Sequence, residues 1–262
     1  MPREPCAQPA GSPTKSPAPT PWPRCSISER GLRIALGQLR CAPRAGALRH
    51  ISMFRSAEAV DADLLLFPEL SFCGYNPRYA SAHPMPLEHR GLGVLQLAAD
   101  GADMHLSVGV PLQAPAGVEI AQVLLSPNTP PRSYAKQLLH ADESARFVPG
   151  ERSLDLVLGG HHLAPAICFE SMQPDHNQAA LDRGASVLLV SLAKDRAGME
   201  RAWAHYAELA QRGGIFVLAV NAVGPTEDFV CAGRSAVWGP NGSLLASLED
   251  QEGLLTIELP PR

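Results

Sequence analysis

No uninterrupted apolar run in this chain of 262 residues approaches the eighteen or so that a membrane helix requires. The densest, Ala185 to Ala193, is about half that length and broken by serines, so a soluble protein with no membrane partner is expected. Lysine and arginine form no cluster, charged residues make up only 18% of the chain and the formal net charge is −4. That balance argues against a nucleic-acid or anionic-membrane footprint. The first residues carry Arg3, Lys15 and Arg24 but lack the apolar stretch of a secretory signal. Six cysteines (Cys6, Cys25, Cys41, Cys73, Cys168 and Cys231) form no CxxC pair and no closely spaced framework. Free thiols in a reducing, cytoplasmic compartment are therefore expected.

Several chemical signatures are missing as well. There is no GxxxxGK[ST], no GxGxxG after a strand, no HExxH and no GxSxG elbow, which removes the usual signals for phosphate cradles, zinc hydrolysis and serine nucleophiles. His161, His162 and His176 flank Cys168, but their spacing matches no familiar zinc pattern, and they read as surface or loop histidines.

What is present is enough apolar residue, 45%, to bury a sizeable core, and the length suits one large α/β domain. Eight of the 25 prolines fall within residues 1 to 24, interleaved with Ala, Ser and Thr. Residues 1–30 are therefore expected to form a disordered tail and residues 31–262 the domain. Strand-like and helical runs alternate from there. Arg33–Leu39, Asp63–Phe67, Met104–Val110, Glu119–Ser126, Leu154–Leu158, Leu163–Phe169, Ser186–Ser191, Ile215–Val220, Ser235–Trp238, Ser243–Leu248 and Leu254–Glu258 read as strands, with helices over Ala45–Val60 and Gly198–Arg212. Gly213 and Gly214 are expected to end the second helix. Strands such as VLLV at 187–190 are apolar on both faces, which requires sheets covered on both sides. Two sheets packed face to face with helices outside fit this inventory better than a doubly wound sheet.

Three polar residues stand at the ends of apolar runs, where burial is costly without a partner or a task. They are Glu69 in LLLFPEL, Lys136 in SYAKQLL and Cys168 in LAPAICFES. Each alone has a plain explanation: a cap or salt bridge, a solvated charge, an inert small hydrophobe. Together, a carboxylate, an ammonium and a thiol complete a set for acyl transfer, with the carboxylate as base, the thiolate as nucleophile and the ammonium facing the developing negative charge.

The blocks FPELSFCGYNP, KQLLHADESARFVPGE, ICFE, GASVLLVS, NAVG and GRSAVWGPNGSLLAS follow one another from about residue 33 to 259, and in that order they resemble the signature blocks of the nitrilase superfamily of carbon–nitrogen hydrolases. The resemblance implies a four-layer α-β-β-α sandwich, no metal or organic cofactor, and a homodimer or larger homo-oligomer. It places the base on Glu69, the charged stabiliser on Lys136 and the nucleophile on Cys168. A second glutamate that positions the lysine falls on Glu143, with Asp142 beside it as a one-residue ambiguity. Small amides are the expected substrates, with nitriles, N-carbamoyl amines and transfer of the thioester to an amine as alternatives. Phe169, Ser191 and Lys194 are the candidate substrate-binding residues. Lys194 either pairs with a substrate carboxylate or belongs to an exposed loop. After the cysteine, Phe-Glu-Ser-Met-Gln-Pro departs from the aromatic-Asp or Arg-Phe-Pro continuations of better-known branches, so no substrate transfers from them. The Cys-aromatic-Glu start is similar to the apolipoprotein N-acyltransferase branch, whose membrane helices this sequence lacks.

Overall fold

The alternation of side chains along the apolar strands decides the layering. In a strand, successive side chains point to opposite faces. Ile34 and Leu36, Leu64 and Leu66, Val187 and Leu189, and Leu218 and Val220 all enter one buried cluster. Their strand neighbours Ala35 and Leu65 enter a second, and Leu188, Val190, Val217 and Ala219 a third. Three apolar layers need four layers of structure to enclose them. The computed structural model, which describes residues 30–42 and 46–262, supplies them as an α-β-β-α sandwich.

The first sheet runs in the order β14-β1-β2-β3-β4-β5, from β1 (Leu32–Gln38), β2 (Leu64–Leu66), β3 (His105–Ala114), β4 (Gly117–Leu125), β5 (Arg132–Ala135) and β14 (Gly253–Leu259). The second runs β13-β12-β9-β8-β7-β6, from β6 (Leu156–Leu158), β7 (His161–Ile167), β8 (Val187–Leu192), β9 (Phe216–Asn221), β12 (Ala236–Trp238) and β13 (Leu244–Ser247). A short ribbon pairs β10 (Val223–Pro225) with β11 (Val230–Ala232). Helices α1 (Gly46–Glu58) and α3 (Arg90–Ala102) cover the first sheet through Phe54, Ala57, Leu92, Leu95 and Ala99. Helices α4 (Pro174–Asp182) and α5 (Arg196–Gly213) cover the second through Ala180, Met199, Ala202, Tyr206 and Leu209. A short α2 (Pro77–Ala82) is capped by Asn76, whose side chain accepts from Tyr79 N–H.

Each sheet has a parallel centre, β1, β2 and β3 in one and β7, β8 and β9 in the other. Loops at the carboxyl ends of such strands are where α/β sheets place their ligands. The two ends meet, because the Ser191 hydroxyl at the end of β8 donates to the Phe67 carbonyl just beyond β2, at 2.9 Å.

Most expected strands form, with shifted limits. The strand expected over Leu163–Phe169 starts two residues earlier and ends at Ile167, so Cys168 and Phe169 lie on the turn that follows. His161 and His162 belong to β7 and are not loop residues. His161 is fully buried, with Nε2 bonded to the Pro260 carbonyl at 2.9 Å. Helix α5 runs through Gly213 and is closed by Gly214 at φ 61. Helices α3 and α4 and strand β5 had no counterpart in the sequence reading, because short amphipathic segments flanked by loops carry little periodicity. The tail expected over residues 1–30 lies outside the described residues apart from Arg30, as does Ala45 at the head of the helix expected there.

One glycine is required by close approach. A Cβ on Gly109 of β3 would stand 2.3 Å from the Pro68 carbonyl oxygen and 2.5 Å from Leu70 N, so the loop carrying Glu69 lies directly on bare backbone. Gly109→Ala is expected to push that loop outward and cost about 1–3 kcal/mol, as overpacking does. Urea denaturation checks the stability loss. Turnover should fall by a larger factor than the loss of folded protein explains.

Candidate active site

Glu69, Lys136, Glu143 and Cys168 come from four separate places in the chain and meet in the interior. Glu69 sits in the loop after β2, beside Leu70 at φ 50. Lys136 follows β5, its N–H bonded to the Ile120 carbonyl at 2.8 Å and its carbonyl accepting from Gly150 at 2.9 Å. Glu143 stands in a turn where Phe147 N–H donates to its carbonyl at 3.0 Å. Cys168 directly follows β7.

The Lys136 ammonium is fully buried and donates to three carboxylate oxygens, Glu69 Oε1, Glu143 Oε1 and Glu143 Oε2, each at 2.8 Å. Its three protons are thus all used. Glu143 also accepts from Tyr75 Oη at 3.0 Å and from His140 N–H at 2.8 Å. Of the two neighbouring acids, Glu143 meets the lysine, whereas Asp142 is exposed and pairs with His140 at 2.5 Å. The second oxygen of Glu69, Oε2, is buried without a hydrogen-bond partner, and the Cys168 thiol neighbours the Glu69 carboxyl.

Cys168 has φ 50, a left-handed conformation that costs a non-glycine residue about 1–3 kcal/mol. Its N–H donates to the Ser191 carbonyl at 2.9 Å, and its carbonyl accepts from the Ser171 hydroxyl at 2.6 Å. Ser171 is bonded in turn to Tyr206 Oη of α5 at 2.7 Å. These bonds hold the turn so that the thiol leaves the sheet and faces a cavity.

Burial pushes the Glu69 carboxyl up to about 7, with the Lys136 charge opposing and the Glu143 charge adding to the rise. Burial also raises the Cys168 thiol to about 11, reinforced by Glu69 and opposed by Lys194, Lys136 and the Ala193 backbone N–H. For Lys136, burial pulls the other way, but the negative groups around it, Glu69 first, prevail and hold it above its usual range. The ammonium is therefore permanent. The resting thiol is protonated, and the carboxyl beside it titrates near neutrality, as a general base at neutral pH should.

The cavity has a volume of about 500 Å³. Cys168, Glu143, Tyr75, Phe169, Met172 and Phe229 are among the residues that line it. Phe169 and Lys194 line it, and Lys194 is half-buried. Ser191 does not line it. Its side chain is buried between the sheets on Phe67, and its part is to hold Cys168 through its backbone. Among the described residues no group of three or more His, Cys, Asp or Glu is placed to hold a metal ion. No helix among them is long and apolar enough to cross a membrane.

Tyr75 and Glu170 are not among the residues expected at the site from the sequence. Tyr75, inside the quoted block FCGYNP, orients Glu143. Glu170, two residues after the cysteine, is fully buried and accepts four hydrogen bonds, from Tyr134 Oη and Ile167 N–H at 2.7 Å and from Gln137 and Leu138 N–H at 2.7 and 3.2 Å. One carboxylate thus ties the segment after Lys136 to the strand before Cys168. The available signal was a charge immediately behind an apolar strand, but nothing local showed what it would bind.

The model of the family described as carbon-nitrogen hydrolase matches residues 33–262, and the chain belongs to that family, within the nitrilase superfamily. It is an enzyme of the class that hydrolyses carbon–nitrogen bonds other than peptide bonds. A crystal structure of an amidase from Nesterenkonia sp. superposes with a TM-score of 0.78 at 31% identity, covering 88% of this chain and 91% of that one. In a mutant of the same amidase, at TM-score 0.77 and 30% identity over 88% and 91% of the two chains, the active-site cysteine carries the acetamide moiety of fluoroacetamide. An (R)-stereoselective amidase of Pseudomonas sp. is 29% identical over 77% of this chain and 74% of its own length. A glutamine-dependent NAD(+) synthetase of Rhodobacter capsulatus is 29% identical over 87% of this chain, which spans only 43% of that protein.

Replacing Glu170 by Gln turns one acceptor end into an N–H donor facing other donors. A buried group left unsatisfied costs about 1–3 kcal/mol, more where charge is involved, and each kcal/mol shifts the melting temperature of a domain this size by roughly 2–4 °C. Calorimetry should therefore show Glu170→Gln melting several degrees below wild type. Tyr134→Phe, which removes only one of the four donors, should lose less.

Proposed function

We propose that this protein is an amidase that cleaves small non-peptide amides through a thioester on Cys168. The observation that carries the reading is the Glu69 carboxyl beside a protonated thiol, with Oε2 unpartnered and Oε1 on the permanent ammonium of Lys136. When an amide enters, the thiol proton passes to Glu69 and the thiolate attacks the carbonyl carbon. The carbonyl π electrons move to oxygen, and the charge of Lys136 stabilises that oxyanion. Protonating Glu69 also weakens it as an acceptor for Lys136, so an ammonium N–H is released toward the oxyanion at the step that needs it. As the tetrahedral adduct collapses, Glu69 returns the proton to the departing nitrogen, and ammonia or an amine leaves. Water then attacks the thioester with Glu69 again as base. The acid departs and the thiol is restored. Glu143, fixed by Tyr75 and His140, keeps the lysine in place and is a positioning residue.

Amide cleavage is preferred over nitrile attack because the leaving nitrogen requires the proton that Glu69 holds. The described similarity to amidases supports the same choice.

Ammonia release from a panel of small amides, N-carbamoyl amines and nitriles is the direct test. Turnover should favour amides and be lost in Cys168→Ala, and a preference for nitriles would overturn the reading. Lys136→Gln should lose roughly a hundred- to a thousandfold in turnover, the usual consequence of removing an oxyanion stabiliser. Near-wild-type activity there would remove Lys136 from the mechanism.

The pH profile gives a second check. Below about 7 Glu69 is increasingly protonated and cannot accept the thiol proton, so kcat/KM should fall as pH drops, approaching about tenfold per unit. Because the Lys136 charge lowers this pKa, the acid limb of the residual activity in Lys136→Gln should move to higher pH.

A further inference from the structure

We propose that the cavity selects amides bearing a carboxylate remote from the scissile bond, with Lys194 and Arg201 as the pair of cations that binds it. This rests on the amidase reading above and names its substrate class. Both residues line the cavity that Cys168 opens into. Lys194 follows the end of β8, and its backbone is clamped: its N–H donates to Asn221 Oδ1 and its carbonyl accepts from Asn221 Nδ2 and Ala232 N–H, each at 2.9 Å. Arg201 lies in the second turn of α5.

The acidic groups around them are already engaged. Asp142 pairs with His140, Glu143 with Lys136, and Glu200 with Arg196 and Arg234. Asp195 caps α5 by accepting from Gly198 N–H at 2.7 Å. Neither the Lys194 ammonium nor the Arg201 guanidinium has an ion-pair or hydrogen-bond partner among the described residues. Two unpaired cations in the lining of one cavity raise its affinity for an anion.

Lys194 and Cys168 line the same cavity of about 500 Å³, so a carboxylate held there lies within a short chain of the reacting carbon. Phe169, Met172 and Phe229 offer the apolar surface that the connecting methylenes require. Such a carboxylate can sit on the acyl side, as in an ω-amide, or on the amine side, as in an N-acyl amino acid. The cations recognise the same group in either case.

The test compares matched pairs of equal length, glutaramate against pentanamide for the acyl side and N-butanoylglycine against N-propylbutanamide for the amine side. In the wild type at least one carboxylate should exceed its neutral partner in kcat/KM by tenfold or more. Its arm then identifies the side. In Arg201→Gln and in Lys194→Met that ratio should collapse by roughly ten- to a hundredfold, and Arg201→Lys should restore part of it. Equal rates on charged and neutral partners, or a ratio unchanged in both variants, would overturn the proposal. Calorimetric binding of glutarate to Cys168→Ala protein, with and without Arg201→Gln, separates the two readings. If no amide is turned over but glutarate binds and Arg201→Gln abolishes it, the carboxylate site stands and the amidase reading falls. If glutarate does not bind and no carboxylate amide is favoured, the site falls whatever the enzyme hydrolyses.

Discussion

A buried ammonium held by three carboxylate oxygens governs this structure. Taking Lys136 and two glutamates out of water is expensive, and only near-ideal hydrogen bonding offsets the cost. That requirement fixes the loop after β2, the end of β5 and the turn at Glu143 relative to one another. It also sets the chemistry. With both glutamates ionised the cluster carries one net negative charge, so a proton on Glu69 is favoured as neutrality is approached from above, and a thiolate beside it would add a second negative charge. Moving the thiol proton to Glu69 shifts a charge without changing the total. The first proposed step therefore needs no new charge in a medium that solvates charge poorly.

Around that cluster the scaffold solves a positioning problem. The two sheets are held apart by the Leu, Ile and Val side chains between them, yet the site needs groups from both. The carboxyl ends of their parallel strands converge at Ser191 and Phe67. Gly109 lets the Glu69 loop settle onto β3 without a side chain in the way. Glu170 joins the lysine segment to the cysteine strand through four hydrogen bonds, and Ser171 with Tyr206 holds the strained turn at Cys168 against α5. The left-handed turn at Cys168 is thus held by polar contacts to Ser191 of β8 and, through Ser171, to Tyr206 of α5.

What could be read from the chain depended on the range of the interaction involved. Strands with strong apolar character were legible, as were the face-to-face sheets, because alternation and two-sided burial are local properties of a run such as VLLV. Helix α3, with a Gly at positions 91, 93 and 101, and the four-residue β5 were not legible, since their stability comes from the sheet they pack on. The end of β7 was placed two residues late, because an apolar run does not show where the backbone turns left-handed.

The site divides in the same way. Glu69, Lys136 and Cys168 stood out because each is polar at the end of an apolar run, where burial demands a partner, and their ordered blocks identified the family. Sequence alone thereby determined the class of protein and the two-sheet plan. The tertiary structure decided which groups meet: Glu143 rather than Asp142 on the lysine, Ser191 as a backbone support, Tyr75 on Glu143, Glu170 between the lysine segment and the cysteine strand, and Lys194 and Arg201 in the lining of one cavity. Those outcomes depend on distances between residues far apart in the chain. Hydrogen bonds and charges act over a few ångströms in space, and no spacing along the sequence encodes them.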